Sequence, residues 1–563
     1  MALRVTNNMI MKSANTNING TKVHVDKTNN QMTTQQKISR PSEDPVIAVR
    51  SLRLQTSLSK IDQYYEKNIP DADKWMDVTG TALSNMASLI SDMRTLSVQG
   101  SNGPNTQDDR NTILSQLKAL QEQIYHEGDA DYAGRTVFTG YHTDKTLTFQ
   151  SAEPDTNYKI KERLSFENME EFRYFAGETD ISDVEKNLAG DTSIDIPDIQ
   201  ETKFQRIRLS YDGLADIQSI SIINKGAYET TRTDIQLSTE TPATEATGTT
   251  AATDRSVTEK TNATASGGSY SGTTVNVYEN EKAWADAHTP AEKTVGDDEI
   301  VVIKETGELI FGKNIATAMK SGKASIDVTY DKKGFDKGEL RPEYYHDSVD
   351  YTDPSYGKEI TYDKFEEKLS TDKDGNTTKT VTEKNYDINY TVAQNQEIAV
   401  NLEADKVFDS RVIQDIRDMI DAVTDAINAH NRAGKIKTMM SEARYADEAS
   451  QEKLSKWLNE AEKEATFADD HLDKWFSTVL GHCDTYEGEI NLANTQLGCK
   501  QDQLIMVEKR MSEQQETVME LQSENDNLDL SDIILKYTAA YTAYQSSLTA
   551  AGRLGQQTLL NYI

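Results

Sequence analysis

The sequence predicts a chain that is mainly α-helical at both termini, a long helical bundle or coiled coil, with a large β-rich α+β insertion in the middle. Three observations carry this. Near the start, apolar residues follow a heptad from Ile47 to Leu96 without a slip, in alternating steps of four and three. Near the other end two more heptad series run from Tyr486 to Leu521 and from Leu530 to Ala551. Between about Arg135 and Val400 the heptads vanish, and short alternating runs punctuated by Gly, Asp and Thr replace them.

The first forty residues are rich in Asn and Thr, and Met11, Ile18, Val25 and Met32 recur every seven positions among small or polar residues. So thin a stripe buries little apolar surface, so the arm is expected to be poorly ordered alone and helical when packed on a neighbour. Arg40-Pro41-Ser42-Glu43-Asp44-Pro45 ends it. Proline disfavours helix in the residue before it, while Asp44 as N-cap and Pro45 as first helical residue start the next helix. That helix carries Leu54, Leu58, Ile61, Tyr65, Trp75, Met86 and Met93 along one seam. Pro70 lies inside and is expected to kink or interrupt it, although the register continues through Trp75. The rod is expected to stop near Gly100, with Ser101-Asn102-Gly103-Pro104 as a turn, and Ile113, Leu114, Leu117, Leu120 and Ile124 mark a shorter helix running back.

In the middle, Lys159-Ile160-Lys161, Ile220-Ser221-Ile222 and Thr380-Val381-Thr382 read as strands. The stretch from Thr230 to Thr274 has few large apolar residues and is expected to form a surface domain with mobile loops. Helical periodicity resumes after Leu402 with Val412, Ile416, Met419, Val423 and Ile427. A charged stretch from Met440 to Phe476 follows, in which Trp457 and Trp475 are expected to pack helices together. Leu504, Val507, Met511 and Val518 belong to the second seam, and Tyr537, Tyr541, Tyr544 and Leu548 to the third. A fifty-residue helix is about 75 Å long, so rods of this kind need partners along their whole length.

A chain of 563 residues exceeds what one core organises. The expected divisions are an assembly arm (1–44), an N-terminal bundle segment (45–145), the outward-facing insertion (146–400, with room for two subdomains), a C-terminal bundle segment (401–529) and an assembly helix (530–563). The net charge of -33 and pI near 4.7 argue against nucleic acid as a partner, because phosphate affinity comes largely from Lys and Arg displacing counterions. Acidic residues sit in the middle and along the long helices; from Ile533 onward there is no Asp or Glu. The longest apolar stretch near the start, Met9-Ile10-Met11, is too short for a membrane span or a cleaved secretory signal. Cys483 and Cys499 share one predicted helix, roughly 24 Å apart along its axis, and cannot bridge there.

Chemical motifs are weak. Gly307-Glu-Leu-Ile-Phe-Gly312-Lys313-Asn314 nearly spells a phosphate loop, but Asn314 replaces the magnesium-binding hydroxyl and Leu309-Ile310-Phe311 reads as strand. Asp372, Asp374, Asn376 and Glu383 have calcium-loop spacing, but Thr377 replaces the turn glycine, so a β-turn at Asp374-Gly375 is expected instead. His471 and His482-Cys483 lack a second cluster to complete a metal set. No catalytic residue, cofactor or metal is expected, and the carboxylates read as a solvated face.

Arg4-Val5-Thr6-Asn7-Asn8-Met9-Ile10 at the start and Ile38-Ser39-Arg40-Pro41-Ser42-Glu43-Asp44-Pro45 at the entry into the long helix resemble the corresponding stretches of the hook-associated protein 3 family of the flagellin superfamily. Val98-Gln99-Gly100-Ser101-Asn102-Gly103 resembles its turn, and Gly134-Arg135-Thr136-Val137-Phe138-Thr139-Gly140 the stretch after the next helix. Ala540-Tyr541-Thr542-Ala543-Tyr544-Gln545 and Leu559-Leu560-Asn561-Tyr562-Ile563 fit its tail. The resemblance covers about 1–145 and 405–563. Two departures are the insertion of roughly 250 residues, large for the family, and Met1-Ala2-Leu3 ahead of the usual start.

The resemblance implies that the terminal helices pack as an antiparallel bundle lining an inner tube, with the insertion outside. It also implies a non-enzymatic structural subunit, secreted through the type III export apparatus with an export chaperone, that self-associates in a ring or tube and joins hook-associated protein 1 to flagellin in the bacterial flagellum. The seam of Leu54 to Met93 is then expected to meet Leu504, Val507, Met511, Val518 and the Tyr537 to Leu548 set. Flagellin itself is the nearest alternative, and an enzyme or adhesin displayed through the insertion is the second.

Overall fold

The computed structural model describes residues 7–102, 105–191, 194–225, 230–236, 270, 273–288, 293–352, 359–371 and 377–556. Long helices occupy both ends and strands dominate the middle. The turn residues Gly103 and Pro104, most of Thr230 to Thr274, the calcium-loop positions 372–376 and the motif ends 1–6 and 557–563 lie outside the described residues.

Helix α1 (Asn7–Thr34) is followed by α2 (Pro45–Asp62), a π-helical segment (Gln63–Asn68) and α3 (Ile69–Ser101). Asp44 caps α2: its carboxylate accepts from the Val46 and Ile47 amides, with Pro45 as first helical residue. The interruption expected from Pro70 is the π-helical segment just before it, where a widened turn accommodates a residue that cannot donate and whose ring crowds the preceding carbonyl. Helix α4 (Gln107–Gly128) starts with a reciprocal capping box between Thr106 and Asp109 and buries Ile113, Leu117, Leu120 and Ile124.

The middle of the chain follows as β1 (Asp131–Tyr132), β2 (Arg135–Thr136), β3 (Glu153–Ser165), β4 (Glu170–Ala176), α5 (Ile181–Leu188), β5 (Gln200–Arg208), β6 (Leu214–Lys225) and β7 (Thr230–Gln236). Then come β8 (Thr274–Tyr278), α6 (Glu281–Asp286), β9 (Glu299–Ile303), β10 (Glu308–Phe311), α7 (Lys313–Gly322), β11 (Ser325–Phe335), β12 (Asp347–Asp350) and β13 (Ile360–Tyr362). Two hairpins close the region, β14 (Phe365–Thr371) with β15 (Thr377–Glu383) and β16 (Asn389–Ala393) with β17 (Gln396–Ala399). The expected strands at 159–161, 220–222 and 380–382 lie in β3, β6 and β15, and Leu309-Ile310-Phe311 lies in β10. Residues 384–388 lie outside any strand, and pairing resumes at Asn389.

Helices α8 (Arg411–Met440), α9 (Glu448–Asp526) and α10 (Leu530–Gln556) complete the chain. The chain forms two compact units: one comprises residues 1–74, 389–399 and 499–563, the other 75–388 and 400–498.

The larger unit contains a five-stranded sheet, ordered β4-β5-β10-β9-β8, and a six-stranded sheet, ordered β13-β12-β3-β11-β6-β7. Within them only β8 and β9 pair in parallel. Strand β9 is buried on both faces. Ile300 and Val302 join Ile160, Ile220, Ile326 and Val328 in one core, while Val301 and Ile303 pack with Tyr174, Tyr278 and Trp284 in another. Each such side chain contributes about 1.5–3 kcal/mol on burial. Trp457 packs with Leu454, Ile436 and Val184, which ties α9, α8 and α5 together. Gly100 lets α3 pack tightly on α9: a Cβ there would stand 2.1 Å from the Phe476 ring.

Candidate assembly surface

The residues singled out from the sequence fall into three groups by burial. In the larger unit Trp75, Met86 and Met93 are fully buried. The Arg135 guanidinium lies 4.9 Å over the Trp75 ring, and Tyr132 meets that ring edge-on at 6.0 Å. In the smaller unit Leu504, Val507 and Met511 are buried, and Ile18, Val25, Met32, Leu54, Leu58, Ile61, Tyr65, Val518, Tyr537 and Tyr544 are half-buried. Met11, Tyr541 and Leu548 are exposed, as are Arg40, Pro41 and Pro45 of the helix-entry motif.

Helices α1 and α10 touch along one side. On α1 that side is Ala14, Ile18, Thr21, Val25, Thr28 and Met32, all at least half-buried. On α10 it is Ile533, Tyr537, Ala540, Tyr544, Ser547 and Ala551, a heptad set one residue ahead of the row Ile534, Tyr541 and Leu548. The Thr21 and Ser547 hydroxyls lie 3.2 Å apart. At the loops the Leu528 amide donates to the Gln35 carbonyl and the Lys37 amide to the Asp526 carbonyl, each at 2.8 Å. Ser51 donates to Asp526 at 2.8 Å, Asn525 to the Ile47 carbonyl at 3.1 Å, and Gln515 to Asp62 at 2.8 Å, fastening α2 to α9.

What these contacts leave open is the main feature of the smaller unit. Of the large apolar side chains that are exposed among the described residues, all but Val98, Tyr141, Ile360 and Leu492 lie in it. On α10 they are Leu530, Ile534, Leu535, Tyr541 and Leu548, the last three 70%, 43% and 44% exposed. On α2 they are Val46, Val49 and Leu52, spaced three apart along one face, and on α9 Ile505, Met506, Met519 and Leu521. Monomeric proteins rarely leave such rows to water; they mark interaction surfaces.

The candidate chemical groups are satisfied internally. Glu383, Glu403 and Asp405 converge closely enough to hold a cation, but the Lys364 ammonium sits among them, 3.1 Å from both Glu383 and Asp405 and bonded to Glu403. Burial lowers that lysine's pKa but the Asp405 and Glu403 carboxylates outweigh it, raising it to about 12. Burial and a shared hydrogen bond with Glu383 push the Asp405 carboxyl up to about 7. His482 Nδ1 lies 2.9 Å from Asp415, which also accepts from Tyr486 at 2.7 Å. His471 sits among Phe172, Phe175 and aromatic neighbours, and burial depresses its pKa to about 3. Arg206, missed in the sequence, is fully buried, donating at 2.7 Å to Glu170 and 2.6 Å to Asp418 and pairing with Glu308, with the Phe172 ring 3.4 Å from its guanidinium carbon. Only its position in a run of alternating residues, Arg206 inside Gln205-Arg206-Ile207, hinted at a strand; its acidic partners are distant in sequence.

Residues 5–143 match the bacterial flagellin N-terminal helical region. Over 143 residues the chain is 24% identical to flagellar hook-associated protein 3 of Salmonella typhimurium, covering 25% of this chain and 45% of that one. It is 27% identical over 115 residues to flagellar hook-associated protein 3 of Escherichia coli, covering 20% of this chain and 36% of that one. The matched stretch thus spans less than half the length of these curated relatives. Among solved structures, a flagellar hook-associated protein-3 from Legionella pneumophila aligns with 84% of this chain and 97% of its own, at 10% identity and a TM-score of 0.29. No described helix is long and apolar enough to cross a membrane.

Proposed function

The chain carries a bacterial flagellin N-terminal helical region and is similar there to flagellar hook-associated protein 3, and from this premise we propose that it is a non-enzymatic structural subunit joining the hook-associated zone to the flagellin filament. The observation that carries the reading is the apolar surface left open on the smaller unit, above all the row Leu530, Ile534, Tyr541 and Leu548 of α10. Burying side chains of this size between copies contributes about 1.5–3 kcal/mol each, enough in aggregate to drive a ring or tube.

In this reading α1 and α10 run antiparallel. The pairing of mid-α1 Thr21 with Ser547 and of Gln35, just past α1, with Leu528, just before α10, supports it. Residues 146–400 face outward, where their acidic surface keeps assemblies apart. Export through the type III apparatus with a chaperone, and contact with hook-associated protein 1 on one side and flagellin on the other, follow from the resemblance.

The test is to delete 530–563 in a strain whose only copy is the altered one. The truncated chain is expected to keep its β-sheets by circular dichroism, to be absent from isolated flagella and to leave cells non-motile. Truncated subunits found at the hook-filament boundary of motile cells would overturn the proposal.

A further inference from the structure

In the smaller unit α2 and the last part of α9 are joined by the Ile47–Asn525, Ser51–Asp526 and Asp62–Gln515 hydrogen bonds, which leaves each helix an outer side. On α2 that side is Val49, Arg53, Thr56 and Lys60, in steps of four, three and four, all exposed. Val46 and Leu52 flank it, 77% and 61% exposed. On α9 it is Glu513, Glu516, Glu520 and Glu524, in steps of three, four and four, also exposed, with Met519 beside them. Each row spans about 16 Å of helix, and the two point away from each other.

Their charges are opposite in sign. Residues 45–61 contain Arg50, Arg53 and Lys60 and no acid, and the one acid of α2, Asp62, is turned inward to Gln515. Residues 511–526 contain no Lys or Arg, and Asp526 is likewise turned inward, to Ser51. Among the described residues, Arg53, Lys60, Glu513, Glu516 and Glu520 enter no ion pair. Lys37 donates to the main-chain carbonyl of Glu524, and the nearest cations along α9, Lys509 and Arg510, precede the row, with Arg510 bonded to Gln396. A charged row alone reads as a solvated face; here each row runs beside large apolar side chains that are open to water.

Resting on the assembly role proposed above, we propose that the basic outer side of α2 docks on the acidic outer side of α9 in a second copy of this chain. The Asp62–Gln515 and Ser51–Asp526 bonds set the levels of the two rows, so a neighbour at equal height brings Lys60 to Glu513 and Glu516, and Arg53 to Glu520 and Glu524. The apolar flanks Val46, Leu52 and Met519 supply the burial. The charges, each worth little at a surface, select the partner and its orientation. Two different patches meet, so every copy keeps one basic and one acidic side free for the next, the heterologous arrangement that closes into a ring or winds into a tube. A twofold pair would instead set like charges against each other.

Charge exchange on the full chain tests it, with incorporation read by mass spectrometry of isolated flagella from strains whose only copy is the variant. Arg53→Glu with Lys60→Glu, and separately Glu516→Lys with Glu520→Lys, are each expected to lower incorporation about tenfold or more. The four changes together exchange the signs of both sides and are expected to restore it to within about twofold of wild type. All four residues are exposed, so the purified variants are expected to melt with wild type, which separates lost docking from lost folding. Normal incorporation of either double variant overturns the pairing. So does a quadruple variant that stays as poor as the doubles, which would put a different protein on one of the sides. Deletion of 530–563 tells the two claims apart: if it abolishes incorporation while the double variants incorporate normally, the pairing fails and the assembly role stands.

Discussion

At the scale of single residues, two buried titratable groups of the larger unit have measurable consequences. His471 is depressed to about 3 because burial among Phe172 and Phe175 disfavours the imidazolium, with Arg206 and Arg173 adding to the effect. In the unfolded chain the ring protonates near 6.5, so the folded state binds fewer protons between these values and stability falls as pH drops from about 6.5 towards 3. The loss approaches about 1.4 kcal/mol per pH unit, and His471→Phe is expected to flatten that part of a urea-midpoint-against-pH curve. A parallel curve for the variant would count against the assignment. Lys364 is the other case: its ammonium holds Glu383, Glu403 and Asp405 together. Lys364→Met leaves three converging carboxylates and is expected to cost about 3–5 kcal/mol in chemical denaturation. A loss below 1 kcal/mol would show that the cluster is solvated.

At the scale of elements, α10 shows how far a sequence pattern reaches. Its apolar residues occupy two adjacent heptad rows, Ile533-Ala540-Ser547 and Ile534-Tyr541-Leu548, sharing Tyr537 and Tyr544. Size alone favours the second row as the seam, yet small residues let helices approach closely, and α1 packs on the first. In the N-terminal seam every position from Ile47 to Leu96 is at least half-buried, and the adjacent row Ile69, Met76, Leu83 and Ile90 is buried beside it. The cap at Asp44 and the disturbance before Pro70 were equally legible, because both arise from local backbone chemistry. The two faces of α10 predict different failures. Ile533→Asp, 1% exposed in the native chain, is expected to lower the melting temperature and loosen α1 in hydrogen exchange. Ile534→Asp, 45% exposed, is expected to leave the melting curve within about 0.5 kcal/mol of wild type while abolishing incorporation into flagella. Equal destabilisation by both would remove the distinction between an inner and an outer face.

At the scale of the whole molecule, the two units differ in what they bury. The larger one closes its cores internally, its sheets ordered by pairings such as β11 with both β3 and β6 that join segments more than a hundred residues apart. Strand identity was readable from alternation, but that pairing order was not, since many alternating runs of similar polarity compete for each edge. The Arg206 cluster was hidden for the same reason: it gathers Glu170 of β4, Arg206 of β5 and Glu308 of β10, with Asp418 of α8. The smaller unit satisfies part of its heptad surface internally and leaves the rest in rows on α2, α9 and α10. Those rows are the physical link between the sequence pattern and a role in assembly. Hydroxyl-radical footprinting read by mass spectrometry, on the free chain and on isolated flagella, addresses that link at Met506, Met519, Leu535 and Tyr541. Assembly through these faces predicts strong labelling of all four residues in the free chain and protection in flagella, with Tyr141 of the larger unit labelled in both; the four residues labelled alike in both states would contradict it.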